Sequence, residues 1–253
     1  MNGTIGFALL LSALAGLSTT IGSLLGILVR KPGPRFMTLT LGFSAGVMIH
    51  VSFVELLQSG IASIGFASAH FAFFVGMLVM FLIDALVPHD YIGQEEHEGR
   101  GMRSSQLMKT GIFVALGIAI HNFPEGMATF AGALEDTSLG ISIGVAIAIH
   151  NIPEGLAVAA PIYAATRSRP KAFMYSFLSG VAEPVGAGIA ALILLPILTD
   201  ALLGYLLAAV GGVMVFISLD ELVPVARSFG HEHLAIAGVL SGMAVMALSL
   251  GLL

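Results

Sequence analysis

Two stretches decide how this chain is read: Gly117–Ala128, GIAIHNFPEGMA, and Ala146–Ala157, AIAIHNIPEGLA. Each sets His, Asn, Pro and Glu in the same order inside an apolar run. The rest of the chain says what solvent those runs meet. Charged residues make up 10% of the 253 positions, against about 25% in an ordinary soluble domain. Apolar types reach 57%, and the 31 glycines suit helices packed closely in lipid, where small side chains let backbones approach. The composition reads as an all-α integral membrane protein, and the net charge of -5 says little about partners. With no cysteine there is no disulfide framework and no thiolate, so any metal must be held by nitrogen and oxygen.

A bilayer core takes about 20 apolar residues per helix. Cutting at charges, prolines and polar clusters gives eight spans, near 4–29, 36–58, 66–87, 108–131, 138–165, 171–198, 201–227 and 233–253, with a loop over 88–107. The runs are too long for barrel strands and do not alternate, so a single helical domain over 1–253 is expected. The first run lacks a basic leader and reads as a retained span. All ten basic residues then fall on one side: Arg30, Lys31 and Arg35; Arg100, Arg103 and Lys109; Arg167, Arg169 and Lys171; and Arg227. The positive-inside rule puts that side in the cytoplasm and both termini outside. Spans two and seven share a pattern, AGVMIHVSFVELL (Ala45–Leu57) and GGVMVFISLDELV (Gly211–Val223), yet run in opposite directions. That is the signature of an inverted repeat, an architecture of secondary transporters.

Ionisable groups at mid-membrane depth are expensive and mark function by default. Around a helix, with His121 at zero, Asn122 lies at about 100° and Glu125 at about 40°. Glu125 can therefore share one cation with His121 and a neighbouring one with Asn122. His150, Asn151 and Glu154 repeat this on span five, and Glu183 of SGVAEPVGAG on span six is the natural extra carboxylate. Pro124 and Pro153 remove amide hydrogens and are expected to kink their helices, freeing the carbonyls of Ile120 and Ile149. Imidazole, carboxylate and amide together suit zinc, iron, manganese or cobalt as divalent ions, and calcium less.

At these residues the sequence resembles the ZIP (Zrt/Irt-like) divalent-metal transporters, and their bacterial branch in particular. The resemblance runs over nearly the whole chain: HNFPEG and HNIPEG, EPVGA on span six, and GVMIHVSFVEL on span two. It implies a binuclear centre, with one cation on His121, Glu125, His150 and Glu154 and a second on Asn122, Glu125, Asn151, Glu154 and Glu183. Some family members carry Asp where this chain has Asn151. It further implies zinc uptake through the cytoplasmic (inner) membrane, with iron, manganese and cobalt also carried, in a multi-pass homodimer. Alternating access would move helices one, four, five and six against the rest. The ions are cargo, and no resident cofactor is expected.

The other polar residues are less decisive. Glu55, Asp220 and Glu221 are expected as interhelical hydrogen-bonding groups near the membrane faces, with Asp84 similarly placed. His50 is a candidate relay, since its repeat partner is Phe216. The segment bearing His89, Asp90, Glu95, Glu96, His97 and Glu98 reads as a solvated loop able to hold departing metal weakly, as do His231, Glu232 and His233. Basic clusters and phosphate-cradling motifs are missing, so neither nucleic acid nor nucleotide is expected as a partner. An intramembrane metal hydrolase would use similar ligands, but HExxH is absent. A proton or sodium carrier leaves the histidines idle.

Overall fold

The computed structural model describes residues 2–29, 33–86, 104–194 and 199–252, and all the regular structure among them is helical. We number eight helices: α1 Asn2–Leu28, α2 Pro34–Ile64, α3 Phe66–Leu86, α4 Ser104–Glu135, α5 Thr137–Thr166, α6 Arg169–Ile189, α7 Asp200–Ser228 and α8 Glu232–Leu252. A wider π turn continues α6 over Ala190–Leu194. Seven of the eight are long and apolar enough to cross a membrane; α6 is not among them, because it carries Lys171, Ser176, Ser179 and Glu183. Ser176, Ser179 and Glu183 are buried, while Arg169 and Lys171 are exposed at its start. Helix α4 begins at Ser104, inside the stretch expected as loop. The acidic and histidine-bearing segment from His89 to Glu98 lies outside the described residues, as do Arg30, Lys31, Arg100 and Arg103.

Helix α1 shows how burial works when the solvent is lipid. Leu10, Leu14, Leu17, Ile21, Leu24 and Leu28 are exposed along one face, while Ser12, Ala15, Thr19 and Ser23 are buried along the other. The polar stripe points inward because unsatisfied polar groups are costlier in hydrocarbon than leucine is. Helices α1, α4, α5 and α6 pack mutually as an inner group, with α2 paired to α8 and α3 to α7 on its flanks. Helix α2 touches α5, and α7 touches α4.

The two sequence-similar helices share local structure as well as residues. Each widens into a π turn, at Ser52–Leu56 in α2 and Ser218–Leu222 in α7. In each, the serine that opens the turn bonds back to a methionine carbonyl, Ser52 to Met48 at 2.6 Å and Ser218 to Met214 at 2.8 Å. Each helix then ends at a glycine with φ of 79°, Gly65 before α3 and Gly230 before α8, a left-handed conformation that suits glycine.

Helices α4 and α5 run unbroken through Pro124 and Pro153. The carbonyl of Pro153 itself accepts the Ser44 hydroxyl of α2 at 2.8 Å, tying α2 to the middle of α5. Close approach of α4 to α6 depends on Gly126, where a built Cβ would fall on the Glu183 carbonyl. Neither partner there is a flexible side-chain end, so the helices themselves must separate. Gly126→Ala is expected to destabilise the protein by about 1–3 kcal/mol, read as a lower thermal midpoint of the detergent-purified chain. An unchanged midpoint would mean the two helices are not in that contact.

Candidate metal centre

The seven residues singled out in the sequence come together at the middle of the inner group. His121, Asn122, Glu125, His150, Asn151, Glu154 and Glu183 are each at most 1% exposed. Helices α4 and α5 bring the two motif copies face to face, and α6 adds Glu183 beside them. The imidazole rings of His121 and His150 stand 5.9 Å apart, centre to centre. His121 Nε2 lies 3.1 Å from Glu154 Oε1 and 3.3 Å from Glu125 Oε2. His150 Nε2 lies 3.1 Å from Glu125 Oε1 and 3.3 Å from its Oε2. His121, His150 and Glu154 can each offer a ligand atom with all three within 4.8 Å of one another, and the Glu125 carboxylate spans both rings.

Those distances fit a shared cation. A tetrahedral zinc with bonds of about 2.0–2.1 Å spaces its ligand atoms about 3.3 Å apart. His150 and Glu125 are within hydrogen-bonding distance, whereas His121 Nε2 and both Glu154 oxygens have no hydrogen-bond partner, although ion-pair distances join them. The donors thus converge with lone pairs left over, an arrangement that could hold a metal ion.

Beside this lies a second set. Asn122 Nδ2 donates to the Ser179 carbonyl at 3.1 Å. Asn151 Nδ2 donates to the Ala15 carbonyl of α1 at 3.0 Å and to Glu183 Oε2 at 2.9 Å. Their amide oxygens, Asn122 Oδ1 and Asn151 Oδ1, are buried without partners, and so is Glu183 Oε1. Three oxygens free to accept, with their companion atoms already satisfied, are suited to a cation. Asn151 does what a carboxylate could not, since only an amide donates to Ala15 and Glu183 while keeping an oxygen free. The centre holds three buried carboxylates, Glu125, Glu154 and Glu183, and buried charge of one sign persists only where something compensates it.

The other polar residues lie outside this set of seven. Glu55 is expected to find a hydrogen bond near the membrane face, but its Oε2 is buried without one. Its carboxylate is instead within electrostatic reach of His150, Glu125 and His121. Asp84, Asp220 and Glu221 gather into a second group whose carboxylate oxygens lie within 4.8 Å of one another. The shared pattern of α2 and α7 marks Asp220 and Glu221, which fall in its π turn, but not Asp84. His50 is half-buried on α2, outside both groups. Glu232 pairs with exposed Arg227 at 3.3 Å across the turn between α7 and α8. The Ala15 carbonyl is invisible in the sequence, because a backbone oxygen carries no residue signal.

Comparison with known proteins places the chain in a family. The model of the family described as ZIP zinc transporter matches residues 86–250. A protein named zinc transporter ZupT from Chlorobium phaeovibrioides is 56% identical, with 97% of this chain and 97% of that protein covered. Proteins of the same name from Clostridium perfringens and Oceanobacillus iheyensis are 48% and 50% identical, covering 96% and 97% of this chain and 94% and 97% of their own. With its helices, its buried donors and these relatives in agreement, the chain belongs to the ZIP family, a family of multi-pass membrane metal transporters and not of enzymes.

Proposed function

We propose that the protein carries zinc, and with lower preference iron, manganese and cobalt as divalent ions, inward across the cytoplasmic membrane. The ions pass through the centre built by His121, Asn122, Glu125, His150, Asn151, Glu154 and Glu183. One observation carries this reading: seven polar and ionisable side chains meet, fully buried, with five of their oxygen atoms lacking any hydrogen-bond partner. The first cation takes His121, Glu125, His150 and Glu154; the second takes Asn122, Glu125, Asn151, Glu154 and Glu183. That the relatives are named zinc transporters supports zinc as the main cargo. The wider ion range rests on the mixed nitrogen and oxygen donors.

The transport cycle is alternating access by an inverted repeat. Support comes from the matched π turns of α2 and α7 and from the pairing of contacts, in which α2 with α8 answers α7 with α3, and α2 with α5 answers α7 with α4. Helix α6 is the eighth span, with Ser176, Ser179 and Glu183 buried. Both termini lie outside: among the described residues, Arg35, Lys109, Arg167, Arg169, Lys171 and Arg227 sit at the ends that alternation assigns to one side. Ser104 Oγ at the start of α4 donates to the Ala165 carbonyl near the end of α5, which joins two of those ends. The inner group moves against α2, α3, α7 and α8, and the protein works as a homodimer.

The test is zinc influx into liposomes that hold the purified protein and a zinc-sensitive dye. Dye response above that of empty liposomes is expected; a protein that cleaves lipid or peptide and passes no zinc would be a hydrolase instead. The ligating forms are neutral imidazole and ionised carboxylate, so protons compete with metal. An imidazole of ordinary pKa, about 6.5, binds metal fully above that pH and loses it below. Zinc affinity is expected to fall steadily between pH 7 and pH 5, measured by equilibrium dialysis. Affinity flat over that interval would remove both histidines from the ligand set.

A further inference from the structure

The packing around the centre is duplicated, and the duplication singles out a residue that neither motif contains. A Cβ built on Gly126 of α4 would fall on the Glu183 carbonyl of α6, and one on Gly155 of α5 would fall on the Thr19 carbonyl of α1. Gly186 of α6 meets the Phe123 carbonyl in the same way that Gly22 of α1 meets the Ile152 carbonyl. Asn122 donates to Ser179 of α6 as Asn151 donates to Ala15 of α1. Every one of these contacts maps α4 onto α5 in the register of the HNxPEG repeat, and α6 onto α1 in a single register. In that register Glu183 maps onto Thr19.

The mapping can be checked where α1 and α6 touch each other. A Cβ built on Gly16 would lie 3.1 Å from the Cβ of Glu183, and one built on Gly180 would lie 3.1 Å from the Cβ of Thr19. Histidines, asparagines and motif glutamates are all paired across this relation. Glu183 and Thr19 are the pair in which it is broken, with a carboxylate on one side and a hydroxyl on the other.

Thr19 is fully buried and its Oγ1 has no hydrogen-bond partner. A helical threonine ordinarily bonds back to a carbonyl three or four residues earlier. Its neighbours do so, Ser18 to Ala15 at 2.6 Å and Thr20 to Leu17 at 2.6 Å. For Thr19 the carbonyl four residues back is that of Ala15, which already accepts from Asn151 and from Ser18, and the hydroxyl does not bond to the Gly16 carbonyl three residues back either. The Thr19 hydroxyl is thus left unengaged on the helix whose Ala15 carbonyl holds Asn151. A buried hydroxyl left unsatisfied is costly unless something takes it up.

We infer that Thr19 Oγ1 is a neutral oxygen donor to the second cation, facing it from the side opposite Glu183. The inference rests on the two-cation reading above. A hydroxyl suits a transport site, where an ion must be held well enough to enter and loosely enough to leave. A carboxylate in both places would bring a fourth negative charge to the centre and hold the ion more tightly.

Zinc bound per chain, measured by equilibrium dialysis of the full-length protein in detergent, tests this. The wild type is expected to hold two ions and Glu183→Gln one. Thr19→Val, which keeps the shape and removes the hydroxyl, is expected to weaken the second ion about tenfold and leave the first unchanged. Thr19→Ser, which keeps the hydroxyl, should bind as the wild type does. Thr19→Ala, which adds no bulk, replaces Thr19→Val if the latter does not fold. Wild-type affinity for both ions in the hydroxyl-free variant overturns the role of Thr19, and so does a Thr19→Ser chain as weakened as Thr19→Val. A wild type that holds a single zinc, indifferent to Glu183→Gln, overturns the two-cation reading and this inference with it.

Discussion

Glu125→Gln abolishes zinc influx into protein-bearing liposomes, by about 100-fold or more, while the chain still purifies as a folded protein. Replacing a ligand outright costs at least what removing a ligand's supporting partner does, itself about 10- to 100-fold in metal affinity. Glu125, like Glu154, is assigned to both cations, and it alone lies against both imidazoles. Its carboxylate lies 3.1–3.3 Å from both imidazoles, and its backbone places it one turn beyond Asn122 on the same helix. The glutamine amide keeps the volume and one oxygen but removes the charge, so packing is spared and coordination is not. Influx at wild-type rate in this variant would remove Glu125 from the pathway.

His121→Ala and His150→Ala are each expected to lower zinc influx by a similar factor, about 100-fold, and to change which ion is preferred. Each takes away one of the two nitrogen donors of the first cation and leaves oxygen donors in the majority. Oxygen-rich sites suit manganese better than zinc, so residual influx should fall less for manganese than for zinc. Competition between the two ions in the same liposome assay reads this directly. A variant whose zinc and manganese influx fall in equal proportion would mean that the histidines shape the pathway without ligating.

Much of this centre is legible in the sequence because lipid makes polar residues conspicuous. His121, Glu125, His150 and Glu154 stand out inside apolar runs, and the HNxPEG repeat aligns them by itself. Their helical spacing then brings donors to one face, and the three-dimensional structure adds that the two faces meet. Glu183 is legible for the same reason. It stands in the apolar run expected as span six, and it is buried there.

What is not legible depends on tertiary placement. Thr19 looks like any helical threonine, and only its burial without a hydrogen-bond partner distinguishes it from Thr20 beside it. Glu55 lies near the end of a helix in sequence, where charge is cheap. The π turn and the packing of α2 instead bury its Oε2 without a partner, within electrostatic reach of His150. The gathering of Asp84 with Asp220 and Glu221 joins α3 to α7, a pairing that no local pattern announces.

The central claim is that metal is held at mid-membrane by the two motif copies. Anomalous scattering at the zinc absorption edge, from crystals of the protein grown with zinc, tests it most directly. A peak is expected within about 2.0–2.1 Å of His121 Nε2 and His150 Nε2, with a neighbouring peak at Asn122, Asn151 and Glu183. Zinc found only at Asp84, Asp220 and Glu221, with the imidazoles paired to the glutamates and no peak between them, would contradict it.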